Sequence, residues 1–201
     1  MWKHAGVSDG SHRWRLAAAT TLVATVLQLF VATFFSSQFE QFEGKAFGAR
    51  LVAYPVMMLL VPAVWAYVRR RRRGTEPLPW LGITLIMLPF LIDVTGNSLD
   101  LYDNVGWWDD ANHFANWLLL CAGIGALLLR ASIQPPWALG LVITGLGALL
   151  AIGWELGEWY TFIRHGTELD TAYEDTLGDM ALGTVGSVVA GLLLLRLGRR
   201  A

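Results

Sequence analysis

Apolar residues in this chain form long runs separated by short polar stretches. They cover roughly 16–36, 50–68, 79–96, 111–130, 137–160 and 177–196, each near the ~20 residues that a bilayer-crossing helix needs. The pattern predicts an all-α polytopic membrane protein, a bundle of six transmembrane helices in a single integral membrane domain over 1–201. The third run is short before it meets Asp93, so its helix must continue past that aspartate. Lys3, Arg13 and Arg15 precede the first run, as they would a signal peptide. Its apolar stretch, Leu16 to Phe35, outruns the ~7–15 residues of a signal core, so an uncleaved anchor is expected.

Composition agrees with the pattern. Hydrophobic residues make up 55% and charged residues only 15%, against about 25% charged in soluble domains. A net charge of −1 argues against a nucleic-acid partner. Of fifteen Lys and Arg, only Lys45, Arg50 and Arg164 fall on one side of the six runs. The other twelve, which include Arg69 to Arg73, Arg130, Arg196, Arg199 and Arg200, fall on the other side with both termini. By the positive-inside rule both termini are cytoplasmic. The arginine run is a topology determinant first, and a binder of anionic headgroups second. Cys121, the one cysteine, lies in an apolar run and reads as a small packing residue.

Acids show the opposite bias. Of sixteen, all but Asp9 and Glu76 lie on the outer side, several inside the ends of apolar helices. Charge within a span costs at least a few kcal/mol and is usually functional. The acids come in pairs at helical spacing: Asp110 with His113 (or Asp109 with His113), Glu155 with Glu158, and Asp175 with Asp179. Counted from Trp137, Glu155 lies about 27 Å along its helix, just inside the outer hydrocarbon edge. Asp93 is at similar depth. Capping and the helix dipole account for some N-terminal aspartates, but not for Glu155 and Glu158 at a helix C-terminus. Arg164 and His165 are the cations counted nearby, too few for so many acids. A divalent metal ion held by Asp110, His113, Glu155, Glu158, Asp175 and Asp179 is the economical answer.

Smaller signals concern packing. Gly153 with Gly157, and Gly183, Ser187 and Gly191, form four-residue stripes that predict close contact between the last two helices. Pro55, Pro62 and Pro89 lie within spans. Trp14, Trp65, Tyr67, Trp80 and Trp137 on the inner side, and Trp107, Trp108, Trp154, Trp159 and Tyr160 on the outer, read as interfacial anchors.

Trp154-Glu155-x-x-Glu158, Asp175-Thr176-x-x-Asp179-Met180, Gly186 and Asp110-x-x-His113 together resemble the YjdF-like bacterial inner-membrane proteins, over roughly residues 80–195. More distantly the chain is similar to VanZ-like proteins, with an Asp and a His opening one helix and an acidic turn before a glycine-lined last helix. Gly183 departs from the pattern, which has Asn four residues after Asp179. The resemblance implies a six-helix bundle in the bacterial inner membrane, and the VanZ-like link hints at envelope chemistry.

The expectation that combines these signals is a metal-dependent membrane hydrolase or transferase. It acts at the outer face on a lipid or lipid-linked substrate, with Glu155, Glu158 and His113 as acid–base groups. No Ser elbow or reactive Cys suggests covalent catalysis. The alternatives are a cation or proton transporter and a non-catalytic envelope scaffold. Against the transporter, no charged residue lies in the cytoplasmic half of the spans.

Overall fold

The computed structural model describes residues 7–129, 133–161, 163–165 and 171–198. Lys3, Arg130, Arg199 and Arg200, counted above for topology, lie outside them, as does the side chain of His165. The described residues form helices joined by short turns, with no strand among them. They form α1 (Val7–Phe34), α2 (Phe47–Arg71), α3 (Trp80–Ser98), the short α4 (Leu101–Asn104), α5 (Trp108–Leu128), α6 (Pro136–Thr161) and α7 (Ala172–Gly198). Six of these are long and apolar enough to cross a membrane. The acids cluster where α1, α3 and α6 end and α2, α5 and α7 begin, here termed the acidic end.

The sequence windows cut several helices short. α5 starts at Trp108 and α7 at Ala172, so Asp109, Asp110 and Asp175 lie in the first turns of their helices, as their helical pairing requires. α3 runs past Asp93 to Ser98, as crossing requires. α2 continues into the arginine run to Arg71, where cations suit the carbonyl end of a helix.

α5 is the central helix. It packs on α3 along one side and on α7 along the other, and α6 lies against α7 and α5. α1 covers α3, and α2 sits outside, mainly on α1. The outer faces of α1 and α2 are apolar: Val23, Leu27 and Phe30 on α1, and Val52, Val56 and Leu60 on α2, are all exposed. A soluble monomer rarely exposes apolar surface so extensively.

Packing of α5, α6 and α7 follows one rule. On each helix, one residue in every four lies along a buried face, and small residues recur on it. On α5 the stripe is His113, Trp117, Cys121 and Gly125. On α6 it is Ile143, Gly147, Ala151 and Glu155. On α7 it is Asp179, Gly183, Ser187 and Gly191. A side chain at Gly147 would strike Ser187 and the Cys121 sulfur, and one at Gly183 would strike Trp117 and Ala151. The Gly186 backbone lies against the Phe114 carbonyl of α5. Cys121 is buried among Leu139, Ile143, Ala190 and Leu194, a packing residue as expected.

One stripe was misread from sequence. Gly153 and Gly157 face open space and make no close approach. Six residues separate Gly147 from Gly153, which at 100° per residue turns Gly153 away from α7. Gly140 and Gly147 make the contacts instead. Two aromatic anchors also differ. Trp108 lies against Gly96 of α3, and Trp154 packs on Tyr54 of α2 with ring centroids 6.0 Å apart. Trp107, Trp159 and Tyr160 are exposed, as an interfacial role requires.

These contacts set opposite outcomes for two glycines. Gly186→Ala places a methyl against unyielding α5 backbone and should cost about 1–3 kcal/mol. Gly153→Ala meets nothing and should be neutral or stabilising by up to about 1 kcal/mol. Thermal unfolding in detergent reads both; equal effects would mean that α7 does not approach α5 this closely.

Candidate functional site

The three buried stripes run toward the acidic end, and each finishes on a polar residue: His113 on α5, Glu155 on α6 and Asp179 on α7. Their exposures are 8%, 3% and 4%. The close packing that seats Gly147 and Gly183 therefore also brings these three side chains together. His113 Nε2 lies 3.5 Å from Asp109 Oδ1 and 3.7 Å from Asp179 Oδ2. His113 Nδ1 lies 3.7 Å from Glu155 Oε1. Neither Nδ1 nor Glu155 Oε1 has a hydrogen-bond partner, although both atoms are shut off from solvent.

A second cluster is centred on Asp93 of α3. Its carboxylate accepts from Arg50 Nη1 at 3.0 and 3.3 Å, from the Tyr54 hydroxyl at 2.6 Å and from the Tyr102 hydroxyl at 2.9 Å. Arg50 also reaches Glu158, with Nη2 3.6 Å from Oε1, and stacks on Phe47. Asp100, with a left-handed φ of 57°, ends α3 and turns the chain into α4, which folds Tyr102 back over Asp93. Burial, then the neighbouring Asp93 and Asp109 charges, holds the Tyr102 phenol far above its ordinary range. Tyr102 is therefore a fixed donor. That fixes the rest of the chain of bonds: Asn112 donates to Tyr102, and Asn116 donates to Asn112 Oδ1 at 2.7 Å.

Both clusters border one cavity of about 360 Å³. Its upper wall carries Arg50, Asp93, Asp109, His113, Glu158 and Asp179, and its floor is apolar, made by Pro89, Phe90, Trp117 and Leu120. Asp175 lines the mouth, one turn above Asp179. Glu155 stands behind the imidazole and does not border the cavity.

Most of the acids singled out in the sequence thus gather at one end, with two corrections. Asp110 is exposed and away from the cavity; Asp109, four residues before His113, takes the position next to the imidazole. Four residues rotate by only about 40°, whereas three rotate by about 60° the other way. The second correction concerns counter-charge. Arg50, paired with Asp93, and Lys45, paired with Asp103, are the cations that line the cavity, whereas Arg164 stacks on Tyr160 at 4.0 Å. The signal of Arg50 was present: an arginine one turn before Tyr54 inside an apolar helix at the depth of Asp93. Tyr54, Tyr102 and Trp154 were likewise missed as site residues.

With this geometry in view, the comparisons place the chain. The family model of the predicted membrane protein family DUF2238 matches residues 17–200, and the chain belongs to that family. This is the YjdF-like family that the motifs resemble. No curated protein and no solved structure matches the chain significantly.

The Arg50–Asp93 pair supports a stability test. Removing one partner strands a buried charge, so Arg50→Ala or Asp93→Ala alone should cost about 3–5 kcal/mol. The double substitution should cost clearly less than the sum. Arg50→Lys should not restore the wild type, because an ammonium lacks the planar fork. Additive losses in detergent unfolding would show that the pair is not coupled.

Proposed function

We propose that this integral membrane protein is a metal-dependent hydrolase or transferase, acting at the outer face of the bacterial inner membrane on a lipid or lipid-linked substrate. One observation carries the reading: a buried imidazole bracketed by carboxylates at distances that suit no direct hydrogen bond. An N–H···O bond closes to about 2.7–3.2 Å. The separations here are 3.5–3.7 Å. Two ligand atoms about 2.1 Å from an ion at the tetrahedral angle stand about 3.4 Å apart.

Two ligand groupings share His113: Asp109, His113 and Asp179, or His113, Glu155 and Glu158, each with donor atoms within 4.8 Å of one another. A neutral imidazole has one lone pair, so an ion takes one ring nitrogen and the other keeps its proton. The cavity favours the first grouping, because Asp109, His113 and Asp179 all border it and Glu155 does not. Glu155 Oε1, 3.7 Å from Nδ1, is the carboxylate that the Nδ1–H then faces, and a small approach of the two on ion binding would fix the tautomer and orient the ring. A divalent ion in this place supplies an activated water or polarises a phosphoryl or carbonyl oxygen. Glu158, on the cavity wall, serves as the acid–base group, held in place by Arg50.

Chemistry is favoured over permeation by the cavity floor. Below Phe90 and Trp117 the buried polar groups are hydroxyls such as Thr25, Thr84 and Ser187. All three donate to backbone carbonyls. They offer no chain of exchangeable charge.

Titration of metal-free protein with zinc and with manganese tests the site. About one ion per chain is expected. Asp179→Asn and His113→Ala should each weaken binding at least tenfold, Glu155→Gln should weaken it less, and Asp110→Asn should leave it unchanged. Failure to recruit any divalent ion, or equal losses for Asp110→Asn and Asp179→Asn, would overturn the assignment.

A further inference from the structure

The ring of helices is not closed by helix packing. Among the described residues, extended contacts run from α2 to α1, α3, α5, α7 and α6 in turn, and α2 and α6 have no extended contact of this kind. What spans the space between them is side chains: Arg50 to Glu158 at 3.6 Å, and the Tyr54 ring against Trp154. All four residues also line the cavity. The cavity is thus separated from the surroundings on this flank by one layer of side chains. On the opposite faces of the same two helices, two residues along from Arg50, Tyr54 and Trp154, Val52 and Val56 of α2 and Ile152 and Leu156 of α6 are exposed. That is a bilayer-facing surface.

Volume and charge narrow the occupant. A cavity of about 360 Å³ is near the lower end of small-molecule sites and cannot enclose a lipid with its chains. It can take a head, provided that the chains remain outside. The gap between α2 and α6 is placed to let them do so. Among the described residues, six carboxylates line the cavity, Asp93, Asp103, Asp109, Glu158, Asp175 and Asp179, against the cations Lys45 and Arg50. Formally four negative charges remain, and one divalent ion halves that. Such a field repels a head with net negative charge and favours one that brings an ammonium.

We propose that the gap between α2 and α6 is a lateral portal. Through it a membrane amphiphile with an amine-bearing, net-neutral head places that head in the cavity and keeps its hydrocarbon chains in the bilayer. This deepens the enzymatic reading and rests on it for the substrate's fate, but its binding is measured independently.

The test uses the full chain in detergent and short-chain phospholipids below their micelle concentration. Dihexanoyl phosphatidylethanolamine should bind at least tenfold more tightly than dihexanoyl phosphatidylglycerol or phosphatidic acid. It should also bind more tightly than glycerophosphoethanolamine, the head without chains. Joining Tyr54→Cys to Trp154→Cys with a reducible thiol crosslinker should abolish lipid binding, and reduction should restore it. A second measurement needs no variant: a photoactivatable phosphatidylethanolamine should label α2 and α6 near residues 50–60 and 150–159, and excess unlabelled lipid should displace that label. Equal binding of anionic lipids, crosslinked protein that binds as before, or displaceable label confined to α1 and α3 would each overturn the portal. Ion titration separates the two readings. Lipid binding without ion recruitment keeps the portal and removes the metal site; ion binding without lipid binding removes the portal and leaves the metal site.

Discussion

The site depends on how closely α7 can approach α5 and α6. In lipid, apolar side chains gain little by leaving their surroundings, so helix association rests on contact quality and on polar bonds between helices. Small residues at Gly147, Gly183 and Gly186 let backbones and short side chains meet directly. That rigid seam fixes the rotation of each helix about its axis. Once Gly147 and Ala151 face α7, Glu155 must face it too, one turn further along. His113 and Asp179 follow in the same way from Trp117 and Gly183. The convergence of three polar side chains is therefore a consequence of apolar packing some turns away.

A different interaction holds the other half of the cavity. α2 is mostly exposed and packs chiefly on α1, yet it delivers Arg50 and Tyr54 to Asp93. A buried carboxylate is tolerable when a guanidinium and hydroxyl donors satisfy it, and costly otherwise. Asp93 has such donors from α2 and α4, which ties the peripheral helix to the core at one point. The lateral flank next to that point is closed only by long side chains. Elsewhere α2 is held by apolar contact, with Phe47 and Tyr54 in one buried cluster and Met58 in another beside Ala18, Ile83 and Met87.

Six helices and the polarity of their ends were legible because both depend on averages over about twenty residues. The stripe on α7 was legible too, since Gly183, Ser187 and Gly191 leave little ambiguity. Gly153 and Gly157 misled because spacing identifies a face but not which face is buried. The decisive clue was the longer series Ile143, Gly147, Ala151 and Glu155, which ends on an acid. Asp110 was preferred over Asp109 for a related reason: three and four residues both bring side chains near, and only the packed rotation of α5 chooses. Arg50 escaped because a cation at a helix end is ordinarily explained by topology. Its partners lie on α3 and α6, far away in sequence.

The division of labour around His113 bears on what kind of site this is. A structural metal centre is closed, with every position taken by protein. Here the ligand side of the imidazole opens to a cavity, while the opposite nitrogen meets a carboxylate sealed from solvent. Under the proposed reading, Asp109, His113 and Asp179 would hold an ion from the cavity side and would leave a coordination position for water or substrate. The apolar floor made by Pro89, Phe90, Trp117 and Leu120 lowers the local dielectric, and so raises the strength of electrostatic interactions in the cavity. A conduit needs its polar groups spread through the membrane. This protein concentrates them at one depth, above a hydrophobic floor and beside a thin lateral wall, and that distribution suits a reaction on something the membrane itself presents.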